Sequence, residues 1–440
     1  MTSLNLDRYR ADHLFILVGG NTLPNYVAVQ LLAKSGATIY LVYSKDVTTA
    51  KGIVLHGTKT QADALEKTLK GYQLQKVPVE ESNSDNVQKE ISDRLIKISD
   101  PSKIIGLHYT GGTKTMSVHT YRAMETQAHR RKDQHFYFSY LDARRLRMWI
   151  QGSPVTGLTA VQHVAVGMKL RLSFADLLLL QNLELDEPVR TTPVWQKLSQ
   201  ELLNVYTQVP GDAKEAWSKW WRDERYVGRT RTAEDQEEKL EKKFQRMSLH
   251  AMPAHIGLQA VYQALQQESG LTMAHTFHDL VQKPPFASKF PYSDLTRWLE
   301  GSWLEDYVAQ QLVLIKDMCD LGDIVINIKP KIGSRTFEFD VACMRGYQLF
   351  AISCTTSAER RVCKSKLLEA ISRARQLGGS EARIGVVCCY DRPADLEAEV
   401  ANLVSDQQVR VFGLPQLKKR DGKELKEHLA DWIFNSGDNV

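Results

Sequence analysis

The chain has 440 residues, 43% hydrophobic and 25% charged, the composition of a soluble globular protein, and its length predicts two or three domains. Lys and Arg number 57 against 52 Asp and Glu, so the net charge of +5 is compatible with a polyanionic partner without requiring one. Its most apolar runs, such as Leu177-Leu178-Leu179-Leu180, are too short to span a bilayer as helices, and the opening from Met1 to Asp12 is largely polar and reads as no signal peptide, so a cytoplasmic protein with no membrane partner is expected.

Leu14-Phe15-Ile16-Leu17-Val18 is a short continuous apolar run, the pattern of a strand buried on both faces of a parallel sheet. It ends in Gly19-Gly20-Asn21-Thr22-Leu23-Pro24-Asn25, and a helix with apolar Val27, Val29, Leu31 and Leu32 follows. Strands are then predicted at 38–44, 75–79, 104–109, 135–141 and 146–150, and helices at 60–70, 86–98 and 114–123. This alternation predicts a doubly wound, Rossmann-like sheet over residues 1–150. Residues 151–185 read as two strands and a short helix at 174–181, and 193–290 as a charged helical stretch, so 151–290 is a largely helical connector. The last domain, 291–440, reads as a long amphipathic helix at 295–318, strands at 323–329, 336–343 and 348–354, then a helix at 365–377. A strand at 384–390, a helix at 396–403, a strand at 410–412 and a closing helix at 425–433 complete an α/β sandwich. Arg345-Gly346 between the second and third of those strands marks a tight hairpin. All six Cys lie in the last third without CxxC spacing, which argues for reduced core thiols and against a zinc site.

Two Gly-rich turns close strands of the first domain, where ligands of doubly wound sheets bind. In Thr110-Gly111-Gly112-Thr113-Lys114, glycines admit a close ligand, the following helix offers free N–H groups, and Lys114, Thr110 and Thr113 add a cation and hydroxyls. Thr113 stands where a Walker motif needs its second Gly, which disfavours an ATPase. The earlier turn would form the other lip, with Asn21 and Asn25 able to read a base edge or ribose.

These two turns, with Ser139-Tyr140-Leu141-Asp142-Ala143-Arg144, resemble the CARF domain, the Rossmann-fold sensor of cyclic oligoadenylate in CRISPR systems. The C-terminal part resembles PD-(D/E)xK nucleases of the restriction-endonuclease-like fold, on Gly301-Ser302-Trp303-Leu304-Glu305-Asp306-Tyr307-Val308, Phe337-Glu338-Phe339-Asp340-Val341 and Ile352-Ser353-Cys354-Thr355. The resemblance implies an α/β ancillary effector of type III CRISPR defence, an N-terminal CARF domain joined through the connector to a nuclease domain. It implies a homodimer with cyclic tetra-adenylate as activator, held across the two-fold axis by Asn21, Thr22, Pro24, Asn25, Thr110, Gly111, Gly112, Thr113 and Lys114. It implies cleavage of single-stranded DNA or RNA, or nicking of duplex DNA.

Phosphodiester hydrolysis of this kind uses divalent metal, and hard Mg²⁺ or Mn²⁺ prefers carboxylate oxygens. Glu305, Asp340 and the Ile352 carbonyl are the candidate ligands, and Glu338 shares the face of Asp340 by strand alternation. The third motif departs from the family, which has Lys where this chain has Thr355, two residues after Ser353. Ser353, Thr355 and Lys366 complete the candidate catalytic set, with Lys364 a second candidate cation and Glu369 a replacement carboxylate. Arg360-Arg361 and Arg373/Arg375 flank this site and are the basic groups expected to meet a polyanion; Arg130-Arg131-Lys132 and Arg144-Arg145 are ordinary solvated charge. The alternative is a cyclic-oligoadenylate-sensing binding protein whose nuclease domain is degenerate.

Overall fold

The computed structural model describes residues 6–48, 51–131, 135–152, 162–185, 189–207, 211–283, 286, 288–332, 335–336, 338–401 and 408–435. Parts of the expected elements at Lys132, Phe337 and residues 402–403 lie outside these.

The first unit alternates strand and helix. It runs β1 (Ala11–Leu17), α1 (Leu23–Leu32), β2 (Ala33–Ser44), an outlying ribbon of β3 (Val47–Thr48) and β4 (Val54–Leu55), α2 (Lys59–Thr68) and β5 (Gln73–Val79). It continues through α3 (Ser84–Ile96), β6 (Ile105–His108), α4 (Lys114–Arg130), β7 (Phe136–Asp142), β8 (Arg147–Gly152) and β9 (Gln162–Ala165). The continuous apolar strands need cover on both faces, and they have it. Phe15, Leu17, Tyr40 and Val42 pack with Val87, Ile91 and Leu95 of α3 and with Met116 and Met124 of α4. Their alternates Leu14, Ile16, Ile39 and Leu41 pack with Val27 and Leu31 of α1 and Leu65 of α2. The strand order is β5-β2-β1-β6-β7-β8-β9, parallel as far as β7 and antiparallel for the last two pairings. The chain turns one way from β1 to β2 and the other way to reach β6, so the strand order switches between β1 and β6. Both Gly-rich turns leave the carboxyl ends of these two strands. The sheet itself runs past residue 150 to Ala165.

A helical layer follows: α5 (Phe174–Leu180), the short strand β10 (Glu184–Leu185), α6 (Gln196–Thr207), α7 (Asp212–Glu224), α8 (Ala233–Phe244), α9 (Gln259–Ser269), α10 (Phe277–Val281) and α11 (Pro291–Arg297). Trp217, Trp221, Phe244 and Phe277 form its core, with the Trp221 and Phe277 rings 5.9 Å apart. The charged face of α8 is solvated and laced by Lys239–Asp235 and Lys242–Glu238 pairs at i,i+4 spacing.

The predicted long helix at 295–318 is not one helix. After α11 the chain makes a π-helical turn over Trp298–Ser302 and restarts as α12 (Trp303–Leu314). Gly301 and Ser302 lie in the wide turn, and such π-turns recur beside functional sites because they re-aim the residues that follow. Then come β11 (Leu321–Ile328), β12 (Pro330–Ile332), β13 (Arg335–Thr336), β14 (Phe339–Arg345), β15 (Gln348–Thr355), α13 (Arg360–Gly378), β16 (Arg383–Cys388), α14 (Pro393–Val400), β17 (Val409–Phe412), α15 (Leu414–Leu417) and α16 (Leu425–Asn435). The predicted strand at 336–343 is thus divided: Thr336 belongs to a small sheet with β10 and β12, and β14 begins at Phe339. The main sheet has the order β11-β14-β15-β16-β17. Val341, Cys343, Phe350 and Ile352 face α12 and the helical layer, while Ala342, Met344, Leu349 and Ala351 face α13 and, with it, the first unit. All six cysteines are buried free thiols, as their spacing suggested.

The hairpin at Arg345-Gly346 forms, with Arg345 opposite Gln348. Gly346 takes a φ of +59°, and its carbonyl accepts the Leu172 N–H at 3.0 Å. A Cβ there would lie 1.9 Å from the Gly167 carbonyl oxygen, so the turn docks the last sheet on the tail of the first unit.

Candidate functional site

The two Gly-rich turns meet backbone to backbone. A Cβ on Gly111 would lie 2.2 Å from the Leu17 carbonyl oxygen and 2.9 Å from Gly19 N; one on Gly19 would lie 2.9 Å from Gly112 N. Gly112 has a φ of +75°, a left-handed conformation open to glycine. Thr113 caps α4 by accepting the Met116 N–H at 3.2 Å, and the Thr110 hydroxyl accepts the Leu141 N–H at 2.6 Å, tying the turn to β7. Lys114 is exposed at the start of α4. The structure thus brings Gly111, Gly112, Thr113 and Lys114 together at the strand-order switch.

The other lip is built differently from its sequence expectation. Thr22, Pro24 and Asn25 are buried. The Thr22 hydroxyl donates to the Leu180 carbonyl at 2.6 Å, and Asn25 Nδ2 donates to the Leu17 carbonyl at 2.9 Å. Pro24 occupies the first turn of α1, where its missing N–H costs nothing. These three shape the turn from inside and do not face solvent, so Gly20 and Asn21 are the parts of this lip open to a ligand. Asn21 is itself engaged: its Oδ1 accepts from Leu23 N at 3.1 Å and from Gln181 Nε2 at 2.9 Å.

Asn21 also touches the last domain. A Cβ on Gly379, just after α13, would lie 1.8 Å from Asn21 Nδ2 and 2.8 Å from Glu381 Oε2. Glu381 is fully buried, and burial lifts its carboxyl to about 7 despite the neighbouring Arg383. Arg383 Nη2 in turn donates to the Arg144 carbonyl at 3.1 Å. Sequence reasoning missed this joint. Nothing in the pattern around Gly379-Ser380-Glu381 signals a partner more than 350 residues away.

In the last domain, the first turn of α12 carries two adjacent acids with opposite fates. Asp306 is fully buried and satisfied: it accepts from Arg190 Nη1, from Val194 N at 2.9 Å and from Trp298 Nε1 at 2.9 Å. Glu305 is buried beside it, and its Oε2 has no hydrogen-bond partner among the described residues. Burial, and next the charge of Asp340, push the Glu305 carboxyl well above the usual carboxylate range. Asp340, near the start of β14, is held from β15: its Oδ2 accepts the Ser353 hydroxyl at 2.7 Å and the Cys354 N–H at 2.6 Å. A narrow cleft of about 10 Å³, room for about one water, opens in front of Asp340. Glu338, Ile352, Ser353, Glu369 and Arg373 line it too. Asp340, Ile352 and Ser353 thus line one cleft, and Glu305, which does not line it, is near enough for its carboxyl to feel the Asp340 charge.

Glu305 and Asp340 are the carboxylates here that could hold a divalent cation. Two neighbouring carboxylates in a buried place, one with an orphaned oxygen, repel each other unless a cation lies between them. Among the described residues no group of three His, Cys, Asp or Glu is placed to hold an ion. Mg²⁺ and Mn²⁺ sites of one or two carboxylates, completed by water and phosphate, need no third.

Thr355 accepts the Ser357 N–H at 3.3 Å and shapes the exit of β15. Lys364 is engaged elsewhere, on Glu399 at 2.6 Å. Lys366 has no carboxylate partner among the described residues, and its charge reaches the buried Cys354 thiol together with those of Asp340 and Glu305. Glu369 and Arg373 pair with each other across one helical turn, and Arg373 Nη1 also donates to the Glu338 carbonyl at 2.5 Å. Arg360 pairs with Glu399, away from the cleft. Arg373 is therefore the arginine of the expected clusters that lines it.

No family model and no curated protein matches the chain. Its fold is similar to that of protein VC1899 from Vibrio cholerae, 16% identical with a TM-score of 0.63 over 97% of this chain and 100% of that one. It is likewise similar to Can2 from Sulfobacillus thermosulfidooxidans, solved in complex with cyclic tetra-adenylate, 15% identical with a TM-score of 0.60 over 96% of this chain and 99% of that one. Both likenesses span essentially the whole molecule, so the mixed α/β architecture of two sheets joined by helices is shared from end to end. No helix among the described residues is long and apolar enough to cross a membrane.

Proposed function

We propose that the chain is a cyclic tetra-adenylate-activated, metal-dependent nuclease of type III CRISPR defence that cuts single-stranded DNA or RNA. The observation that carries the reading is the buried pair Glu305 and Asp340, one orphaned and one held from the next strand. It lies in a chain whose whole length resembles a protein solved with cyclic tetra-adenylate. In the first domain, Gly20, Asn21, Gly111, Gly112, Thr113 and Lys114 present backbone N–H groups and a cation to phosphate at the switch point. A symmetric ring of four nucleotides suits a homodimer that pairs these turns across a two-fold axis.

Glu305 and Asp340 would hold Mg²⁺ or Mn²⁺, with Ile352 alongside; the ion supplies charge neutralisation at phosphate and a more acidic water. Ser353 and the Cys354 N–H hold Asp340 in one orientation through Oδ2, leaving its other oxygen uncommitted. Lys366 takes the part of the missing strand lysine, balancing negative charge at the scissile phosphate, and Arg373 contacts the neighbouring phosphate from the cleft wall. The joint at Asn21, Gly379 and Glu381 connects the ligand turn to the end of α13, the helix that carries Lys366 and Arg373. Ligand that prefers one setting of this joint shifts the population of cleft geometries.

The test is cleavage of labelled single- and double-stranded DNA and RNA with Mn²⁺ or Mg²⁺, with and without cyclic tetra- or hexa-adenylate. Activator-dependent cleavage that Asp340→Ala abolishes is expected. One observation favours a second reading, a sensor with a degenerate nuclease domain: Thr355 stands in the lysine position. Activator binding without cleavage of any substrate would select that reading.

A further inference from the structure

A second, larger depression lies where β15 leaves the sheet toward the helical layer. It has a volume of 460 Å³ and runs between α7 and the loop that leaves β15. Lys214, Trp217, Arg222 and Arg225 line one side, Thr356 to Glu359 the other, and Leu299 and Glu300 of the π-turn lie between them. Three cations face two carboxylates, Glu300 and Glu359, and Arg225 already neutralises Glu300 at 2.9 Å. Lys214 sits 4.9 Å over the Tyr206 ring. Arg222 is exposed and has no carboxylate partner among the described residues. Trp217 is 2% exposed, yet its indole N–H has no acceptor among the described residues.

We infer that this groove binds the single polynucleotide strand flanking the scissile phosphate, so that the helical connector is part of the substrate site. The inference rests on the nuclease reading above. Phosphate oxygens would meet the Arg222 and Lys214 charges, and bases would lie toward the Tyr206 side of the groove. The wall at Thr356 follows Ser353 by three residues, about 10 Å of extended chain. That equals about three steps of a stacked strand at 3.4 Å each. The volume falls in the range of roughly 300–1,000 Å³ that takes a group of small-molecule size, such as a segment of one strand.

The test compares full-length Asp340→Ala with the same chain carrying Lys214→Ala and Arg222→Ala, measuring anisotropy of fluorescent oligothymidine and oligouridine against salt with activator and Mn²⁺ present. Loss of two phosphate contacts predicts binding about ten-fold weaker at low salt and a salt slope shallower by about 1.4, at about 0.7 per contact. In the otherwise wild-type chain, the same two changes should leave hydrolysis of bis(p-nitrophenyl) phosphate, too short to reach the groove, unchanged. Lys89→Ala, on a distant exposed ion pair, is the charge control. Unchanged affinity and slope in the groove variant, or equal loss of the short substrate, overturns the groove while the nuclease reading stands. A wild-type chain that neither binds nor cuts any strand overturns that reading first.

Discussion

Gly379→Ala tests the joint between ligand turn and nuclease domain. Gly379 has φ +64° and ψ −151°, a conformation essentially confined to glycine, so alanine there costs about 1–3 kcal/mol in backbone strain. Its Cβ would also lie 1.8 Å from Asn21 Nδ2, far inside any real contact, and displacing packed atoms costs about 1–3 kcal/mol more. The single change is therefore expected to destabilise the chain by about 2–6 kcal/mol. Asn21→Ala removes the clashing amide and gives up its bonds to Leu23 N and Gln181, at about 1 kcal/mol. In the double variant the strain, the 2.8 Å approach to Glu381 Oε2 and the lost Asn21 bonds remain but the amide clash is gone, so the cycle should show a favourable coupling of about 1–3 kcal/mol. Urea midpoints of the four proteins, with m-values held constant, give the energies. Activator titrations of the same proteins should show Gly379→Ala needing more ligand for half-maximal response. Additivity within about 0.3–0.5 kcal/mol would refute the contact and the coupling argued from it.

Glu305→Gln should abolish cleavage and yet stabilise the metal-free chain at alkaline pH, by removing a buried charge that lies near Asp340. Its carboxyl is raised in the folded state, so wild-type stability falls as pH rises past the unfolded carboxyl value, and the difference should vanish in acid. Mn²⁺ should lift the thermal midpoint of the wild type and not of this variant; a lift in both would move the ion elsewhere. Lys366→Ala should cut activated turnover by about 10²-fold or more, and Lys364→Ala by far less, because Lys364 already serves Glu399; equal effects would remove Lys366 from the site. His108 is buried under the Thr110 turn, and burial lowers it to about 3. A base depressed in the folded state adds stability that is present above about pH 6.5 and lost as pH falls toward 3, about 2.7 kcal/mol by two units below 6.5. Urea midpoints from neutral pH to pH 4.5 should show that slope, and His108→Asn should flatten it relative to wild type.

What was legible in the sequence was whatever local periodicity and turn chemistry decide. Leu14 to Val18 and Ile104 to Tyr109 could hardly be anything but buried strands, and a doubly wound order puts their glycine turns side by side at the switch point. Asp340 was legible because an acid in an apolar strand stands out against β-propensity. Three things were not legible, each for the same physical reason: they depend on which distant groups a side chain meets. Asn25 and Thr22 looked like ligand readers because polar residues in a turn usually face water; here the close approach of two backbones turned both inward, onto Leu17 and Leu180. Helical periodicity runs unbroken through Trp298 to Ser302, so the π-turn that separates α11 from α12 leaves no trace in the pattern. Lys364 and Lys366 stand two apart on one helix, which sends them to different faces. Sequence could offer both as the substitute cation. Glu399, from a helix about 35 residues on, takes Lys364, and that pairing leaves Lys366 as the lysine whose charge reaches Cys354, Asp340's neighbour on β15.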